Sequence, residues 1–313
     1  MITVVGEALI DLVGVGGLRF EAHPGGSPLN TAVGIARLGV PTTVLARFAD
    51  DAFGRILRQH ALDNGVSIEG SPHAAEPTTL AVVTIDDAGR ASYDFYLEGT
   101  ADWQWSDEEL ASLPAGTQIL HTGSLAAWTD PGQARIAALV DRVREQVLVS
   151  FDPNIRPRFV GTPARGRALV ERSVAAAHVV KASDQDAGWL YPGESMESIA
   201  ANWASLGPDL VVITCGGEGV VAMTGGGVRI DRPAVPIELA DTVGAGDGFT
   251  SGLLATVMDR GLARPHGLSD VDPAVLAEIL DQAGLVAALV CERPGSDPPT
   301  AEQLAAAQHR IPR

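Results

Sequence analysis

Asp241-Thr242-Val243-Gly244-Ala245-Gly246-Asp247-Gly248 runs directly into Phe249-Thr250-Ser251-Gly252-Leu253-Leu254-Ala255-Thr256-Val257, which reads as a helix. A glycine turn therefore opens into a helix with a carboxylate at the junction. A helix N-terminus carries unpaired N–H groups and the positive end of the macrodipole, so it attracts phosphate. Gly244 and Gly246 let the backbone aim its amides at one point and let an anion come close. Asp247 is the odd residue, because a carboxylate beside a phosphate site repels it. That cost makes sense if Asp247 takes a proton from the group that attacks the phosphate, and the pattern points to phosphoryl transfer to an alcohol. The spacing does not fit a dinucleotide fingerprint, whose third glycine would fall on Phe249. A nicotinamide oxidoreductase fails on that ground.

Outward from this turn, strands are predicted at 2–5, 43–46, 118–121, 147–151, 177–181, 210–214 and 219–223. Helices are predicted at about 131–146, 163–176, 195–205, 246–260 and 272–291. Ser27 reads as an N-cap with Pro28 at the first helical position and Gly39 as the stop, and Asp50 or Asp51 caps the next helix. This alternation predicts an α/β fold with a mostly parallel sheet and helices on both faces. Ligands in such sheets bind at the carboxyl ends of the strands, where the segments 6–11, 152–156, 183–186 and 214–219 would all lie. The stretch 78–105 breaks the alternation. Leu80-Ala81-Val82-Val83-Thr84-Ile85 and Ser92-Tyr93-Asp94-Phe95-Tyr96 read as a hairpin about the turn Asp86-Asp87-Ala88-Gly89, and residues 12–20 could join them in a small separate sheet.

The glycine turn resembles the C-terminal signature of the ribokinase-like (PfkB) sugar kinases. A second signature of that family appears as Gly25-Gly26-Ser27-Pro28-Leu29-Asn30-Thr31-Ala32. Gly6-Glu7-Ala8-Leu9-Ile10-Asp11 before it, and Asp152-Pro153-Asn154-Ile155-Arg156-Pro157 and Thr214-Cys215-Gly216-Gly217-Glu218-Gly219 between the two signatures, follow the family's order. The segments 6–11 and 152–157 are most similar to those of fructokinases. The resemblance implies a single ribokinase-like domain over 1–313, a three-layer fold with lid segments at about 12–24 and 79–105. It implies Mg-ATP as phosphoryl donor and a sugar as acceptor, fructose first, with ribose, 2-keto-3-deoxygluconate or a nucleoside as alternatives.

By the same resemblance, Asp247 is the base and the amides of Gly244, Ala245 and Gly246 receive the transferring phosphate. Asp11, Gly25, Gly26, Asn30, Phe95, Asn154 and Arg156 face the sugar. Ser183, Thr214, Gly216, Gly219, Ala287 and Gly295 line the nucleotide side. Asp186, in place of the family's glutamate, stands at the magnesium position. Asp241 and the Val243 carbonyl match ligands of a potassium ion that some members use.

Each residue also has a plainer reading. Asp247 and Asp184 could be helix caps, Asp241 could bond turn amides, Arg156 could make a surface ion pair, and the hairpin could be an ordinary sheet edge. A non-catalytic sugar or nucleotide sensor on the same fold is the second class of function. It has no need of a carboxylate set against phosphate.

The net charge of −17 over 313 residues argues against nucleic acid or an anionic membrane as partner. With 46% apolar residues the chain can bury a sizeable core. Lys181 is its single lysine, which reads as codon bias and excludes a P-loop. Cys215 and Cys291 have no metal-ligand spacing. No uninterrupted apolar run approaches ~18 residues. Together these features predict a cytoplasmic protein with buried thiols, and the resemblance suggests a homodimer through the lid.

Overall fold

The computed structural model describes residues 1–85 and 91–312. Among these, eight strands form the main sheet, in the order Arg229–Arg232, Val220–Thr224, Leu210–Thr214, Val179–Ser183, Leu148–Asp152, Ile119–Gly123, Ile2–Val5 and Thr42–Leu45. From Leu210–Thr214 onward the strands run parallel; Val220–Thr224 turns back antiparallel to Leu210–Thr214, and Arg229–Arg232 pairs antiparallel with Val220–Thr224. A parallel strand covered on both faces must be apolar at successive positions. Leu210 and Val212 accordingly enter one core with the helices Ser27–Arg37, Ala245–Asp259 and Pro273–Cys291. Val211 and Ile213 enter the opposite core with Gly132–Val143, Pro163–Ala176 and Met196–Ala204. The predicted alternation is therefore the observed one.

A second sheet takes the order Phe20–Gly25, Leu9–Gly14, Leu80–Ile85, Ala91–Tyr96. Leu80–Ile85 and Ala91–Tyr96 pair antiparallel as the predicted hairpin; its turn, Asp86 to Gly89, lies outside the described residues. Residues 12–20 do not make one strand. The strands on either side, Leu9–Gly14 and Phe20–Gly25, pair with each other, so Asp11 stands within a strand of the small sheet and not in a loop after Ile2–Val5. The register aligns His23, Asp11, Ala81 and Phe95 in one row across the sheet. Paired residues of neighbouring strands share a face. Ala81 is buried in the core, so this face looks toward the main body.

Other expectations need correction. Gly26 caps the helix Ser27–Arg37, and Ser27 is its first helical residue. Ser183, not Asp184, caps the helix Asp184–Leu190. The edge strand Arg229–Arg232 escapes a periodicity reading because Ile230 is its one buried residue. The helix Pro273–Cys291 has mean hydropathy 1.8 over 18 or more residues, enough by length and composition to cross a membrane. Its Leu276, Ile279 and Leu280 pack into the main core, while Leu285, Ala288 and Leu289 meet Val235 and Ala307 on another side. A helix apolar on several sides is the mark of burial between layers.

Candidate active site

Strand ends collect the site. Val5, Gly123, Asp152, Ser183 and Thr214 all close parallel strands at the same edge of the main sheet. Over that edge sits the start of the helix Ala245–Asp259, whose N-cap Gly244 has φ 78°. That left-handed conformation costs a residue with a Cβ but not glycine. A side chain at 244 would also collide with Ser296, which brings the segment after Cys291 against the turn. The Ala245 amide is not free as expected, since it donates to the Thr242 carbonyl at 3.2 Å. Gly244 and Gly246 stand at the start of that helix, as the sequence places them.

Asp247 is buried in the first turn of this helix. Ser27 Oγ donates to its Oδ1 at 2.6 Å, and Asn30 Nδ2 donates to its Oδ2 at 2.9 Å. The two signatures, more than two hundred residues apart, thus meet on one carboxylate. Burial raises the Asp247 pKa; the Ser27 and Asn30 hydrogen bonds and the Lys181 charge oppose the rise, and Asp152 adds to it. Ser27 is a site residue that the sequence reading took for a cap. A hydroxyl next to a proline at a helix start fits capping so well that nothing local betrays its partner.

Asp11 lies against Gly25, where a Cβ would run into its carboxylate. At Gly26 a Cβ would come within 2.6 Å of the Glu7 carbonyl. Burial pushes the Asp11 carboxyl up to about 6, with His23 and Arg156 opposing and Asp247 contributing. Asp11 and Asp247 therefore sense one another across the space between the small sheet and the glycine turn. Arg156 Nη1 donates to Asn154 Oδ1 at 2.7 Å and to the Ile155 carbonyl, in place of a surface ion pair. Phe95 meets Phe159 edge-on with ring centroids 5.3 Å apart, closing the row of small-sheet residues onto the short helix Pro157–Val160.

Beneath the turn lies a group the sequence reading set aside. Lys181 Nζ donates to Asp152 Oδ2 at 2.9 Å, both side chains buried. Asp152 Oδ1 accepts from the Asn154 amide at 3.1 Å. Burial lowers the Lys181 pKa, but Asp152, Asp247 and Asp186 outweigh it and hold it above the ordinary value. The signal was present in the sequence: one charged residue inside the apolar strand Val179-Val180-Lys181-Ala182 must be paired when buried.

Asp186 forms a capping box with Ser183 and accepts from the Ile155 amide at 2.8 Å. Ser183 Oγ donates to Asp186 Oδ2 at 2.7 Å. Both carboxylate oxygens thus hold backbone and cap. Magnesium keeps several waters and leans on phosphate oxygens, so the acceptor capacity left on these two oxygens fits an ion held directly or through water.

On the nucleotide side, Thr214 stands beside Ser183 in register, and Gly216 and Gly219 form the turn beyond it, closed by a bond from the Cys215 amide to the Gly219 carbonyl at 2.7 Å. Ala287 Cα would lie 3.6 Å from a Cβ on Gly248, so the long helix passes close to the glycine turn. Asp241 accepts from Val243 N at 3.1 Å and from Gly295 N at 2.8 Å. The carboxylate thus bonds turn amides, and through Gly295 it ties the last segment to the turn.

Comparison with known proteins bears on the family and the fold. A profile of the pfkB family of carbohydrate kinases matches residues 1–303. A fructokinase from Klebsiella pneumoniae is 36% identical over 298 residues, covering 94% of this chain and 94% of its own. The crystal structure of fructokinase from Vibrio cholerae O395 with fructose, ADP and calcium bound has a TM-score of 0.82 at 27% identity, over 99% of this chain and 98% of its own. Aminoimidazole riboside kinase from Salmonella enterica, complexed with aminoimidazole riboside and an ATP analogue, has a TM-score of 0.83 at 28% identity, over 97% and 98%. The expected ribokinase-like fold is the fold of these neighbours.

Proposed function

The chain belongs to the PfkB family of carbohydrate kinases, and we propose that it transfers the γ-phosphoryl group of Mg-ATP to a hydroxyl of fructose. The observation that carries this reading is the carboxylate of Asp247, set at a helix N-terminus and held on both oxygens by the glycine-rich signature of the other half of the chain. Asp247 accepts the proton of the attacking hydroxyl. In a loose, metaphosphate-like transition state that proton leaves late, so placement matters more than basicity. The amides of Gly244 and Gly246 and the metal ion stabilise the developing charge. Asp11, Asn30 and the Gly25–Gly26 backbone orient the sugar, with Arg156, Asn154 and Phe95 at its rim. Thr214, Gly216, Gly219, Ala287 and Gly295 hold the nucleotide. The small sheet closes as a lid that excludes water. Its exposed Val15, Leu18 and Tyr96 support a homodimer through the same sheet.

A riboside acceptor is the second reading, supported by the likeness to aminoimidazole riboside kinase. Release of ADP from Mg-ATP, followed with fructose, ribose, 2-keto-3-deoxygluconate and adenosine, with and without potassium, separates the two. Turnover on fructose alone is the expected result. Turnover on adenosine alone would replace the sugar by a nucleoside and keep the mechanism. ATP binding with no turnover on any of them would make the protein a sensor.

A further inference from the structure

Every other basic side chain except histidine in this protein is arginine, and its one lysine is buried under the glycine turn. A Cβ on Gly246 would come within 2.9 Å of Lys181 Nζ, so the ammonium lies directly against the first turn of the helix Ala245–Asp259. A cation at a helix N-terminus opposes the macrodipole, so helix stability does not account for it. Pairing with Asp152 does not account for it either, because replacing a buried ion pair with apolar groups is often neutral or stabilising. What gains from a fixed positive charge at this point is negative charge above it: the Asp247 carboxylate and the oxygens of a phosphoryl group.

We propose that Lys181 is a positioning residue of the phosphoryl-transfer site, its ammonium fixed by Asp152 beneath the turn so that Asp247 stays anionic and the cavity stays attractive to phosphate. The role rests on the kinase reading, but the charge it places can be read without turnover. The charged groups that bear on Asp247 come from two sides. Lys181 and Asp152 rise from the main sheet, and Asp11 stands opposite on the small sheet, itself faced by His23 and Arg156. Asp186 faces Lys181, and His121, behind the pair, is held neutral by burial with its pKa lowered to about 4. Lys181 is therefore the cation that acts on Asp247 from below, and Asp152 is the anion that moderates it.

Two variants should act with opposite sign. In the full chain, carbon-13 NMR follows titration of the Asp247 carboxyl, assigned by its loss in Asp247→Asn. Lys181→Met should raise the midpoint by about one pH unit or more, the size expected for losing a nearby opposite charge. Asp152→Asn should lower it. A midpoint unmoved in both overturns the proposal, whether or not the protein phosphorylates any sugar tried. Kinetics supply the second arm. The acid limb of kcat on the preferred sugar should rise with the midpoint in Lys181→Met, with KM for sugar changed less than about threefold, since the ligand contacts remain. If Lys181→Met does not fold, Lys181→Met/Asp152→Asn restores neutrality and decides. That double variant should melt as the wild type does and still turn over roughly tenfold or more slowly, as when one preorganised charge is lost. Wild-type turnover in it would show the pair to be a neutral plug and sink the idea. A wild type silent on every acceptor but showing both midpoint changes would refute the kinase reading and leave the placement of charge standing.

Discussion

Two pairs of buried acids in this molecule meet different fates. Asp152 and Asp247 share the neighbourhood of a buried ammonium, whereas Glu7 and Asp102 lie where the small sheet joins the main body and have no cation of their own. Glu7 Oε2 accepts from the Ala126 amide at 3.1 Å, and Asp102 Oδ1 accepts from the Ala8 amide at 3.0 Å. Burial pushes Glu7 up to about 7 and Asp102 up to about 7, the latter helped by Glu7 itself. Arg47 is near Asp102, but its guanidinium is committed to Glu76, Glu109 and the Ala101 carbonyl. Depth alone therefore does not decide whether a carboxylate is available for chemistry. The surroundings differ as well: a buried ammonium opposes the rise that burial gives Asp247, whereas chiefly backbone amides and hydroxyls oppose it at Glu7 and Asp102.

The sharpest way to break this contrast is at Asp247. Asp247→Asn should lower kcat by roughly 10²- to 10⁴-fold, the usual contribution of a positioned base, with ATP affinity unchanged in calorimetry. Turnover near wild type would remove the base and return Asp247 to helix capping. Ser27→Ala probes the support of that base. It deletes a hydrogen bond to a charged group, worth about 1.5–3 kcal/mol. Asp247 should then protonate at higher pH, so the acid limb of kcat moves up by about one pH unit or more. An acid limb that stays in place would mean that Ser27 only shapes the helix start.

Glu7 and Asp102 test the other side of the comparison through stability. Both have folded-state pKa values raised above the unfolded ones, so the native chain holds more protons between the two values. Their contribution is present in full below about pH 4, near the unfolded pKa values, and is lost as pH rises through about 7. The melting temperature should accordingly fall across that window, and Glu7→Gln should flatten the fall while leaving kcat/KM within about twofold, the result expected of a residue that touches no reacting atom. A slope unchanged in Glu7→Gln would show that Glu7 is ionised in the fold and that its burial is balanced by the surrounding amides.

The sequence made the layers legible because a parallel sheet writes itself as apolar runs spaced by amphipathic helices. The helix Pro163–Ala176 was readable to its ends because Thr162 and Pro163 punctuate its start. The glycine turn and Asp247 were legible for a similar reason, as local backbone chemistry. What was hidden depends on partners far along the chain. Ser27 looks like a cap until Asp247 is beside it, the hydrogen bonds of Asp186 to Ser183 and Ile155 cannot be read from its motif, and Lys181 looks like a compositional accident until Gly246 is above it. Lys181 was the most recoverable of these, since a lone charge in an apolar strand demands an explanation from burial.

The mildest test concerns fit beside the turn. PfkB proteins usually carry alanine after the aspartate, and this chain carries Gly248. A Cβ there would come 2.7 Å from Val290 Cγ2 on the helix Pro273–Cys291. The branched Val290 has taken the space that an alanine methyl would need. Two effects then compete in Gly248→Ala: helix propensity favours it by about 1 kcal/mol, and overpacking opposes it by about 1–3 kcal/mol. The net change should be a loss of stability of about 1 kcal/mol, with Asp247 displaced enough to lower kcat a few-fold. Val290→Ala on the same chain should reverse the kinetic loss, since it removes the methyl that the new Cβ meets. Denaturant unfolding and kcat of the single and double variants measure this directly. If Gly248→Ala is already as stable and as fast as wild type, the long helix yields at this contact and does not brace the turn.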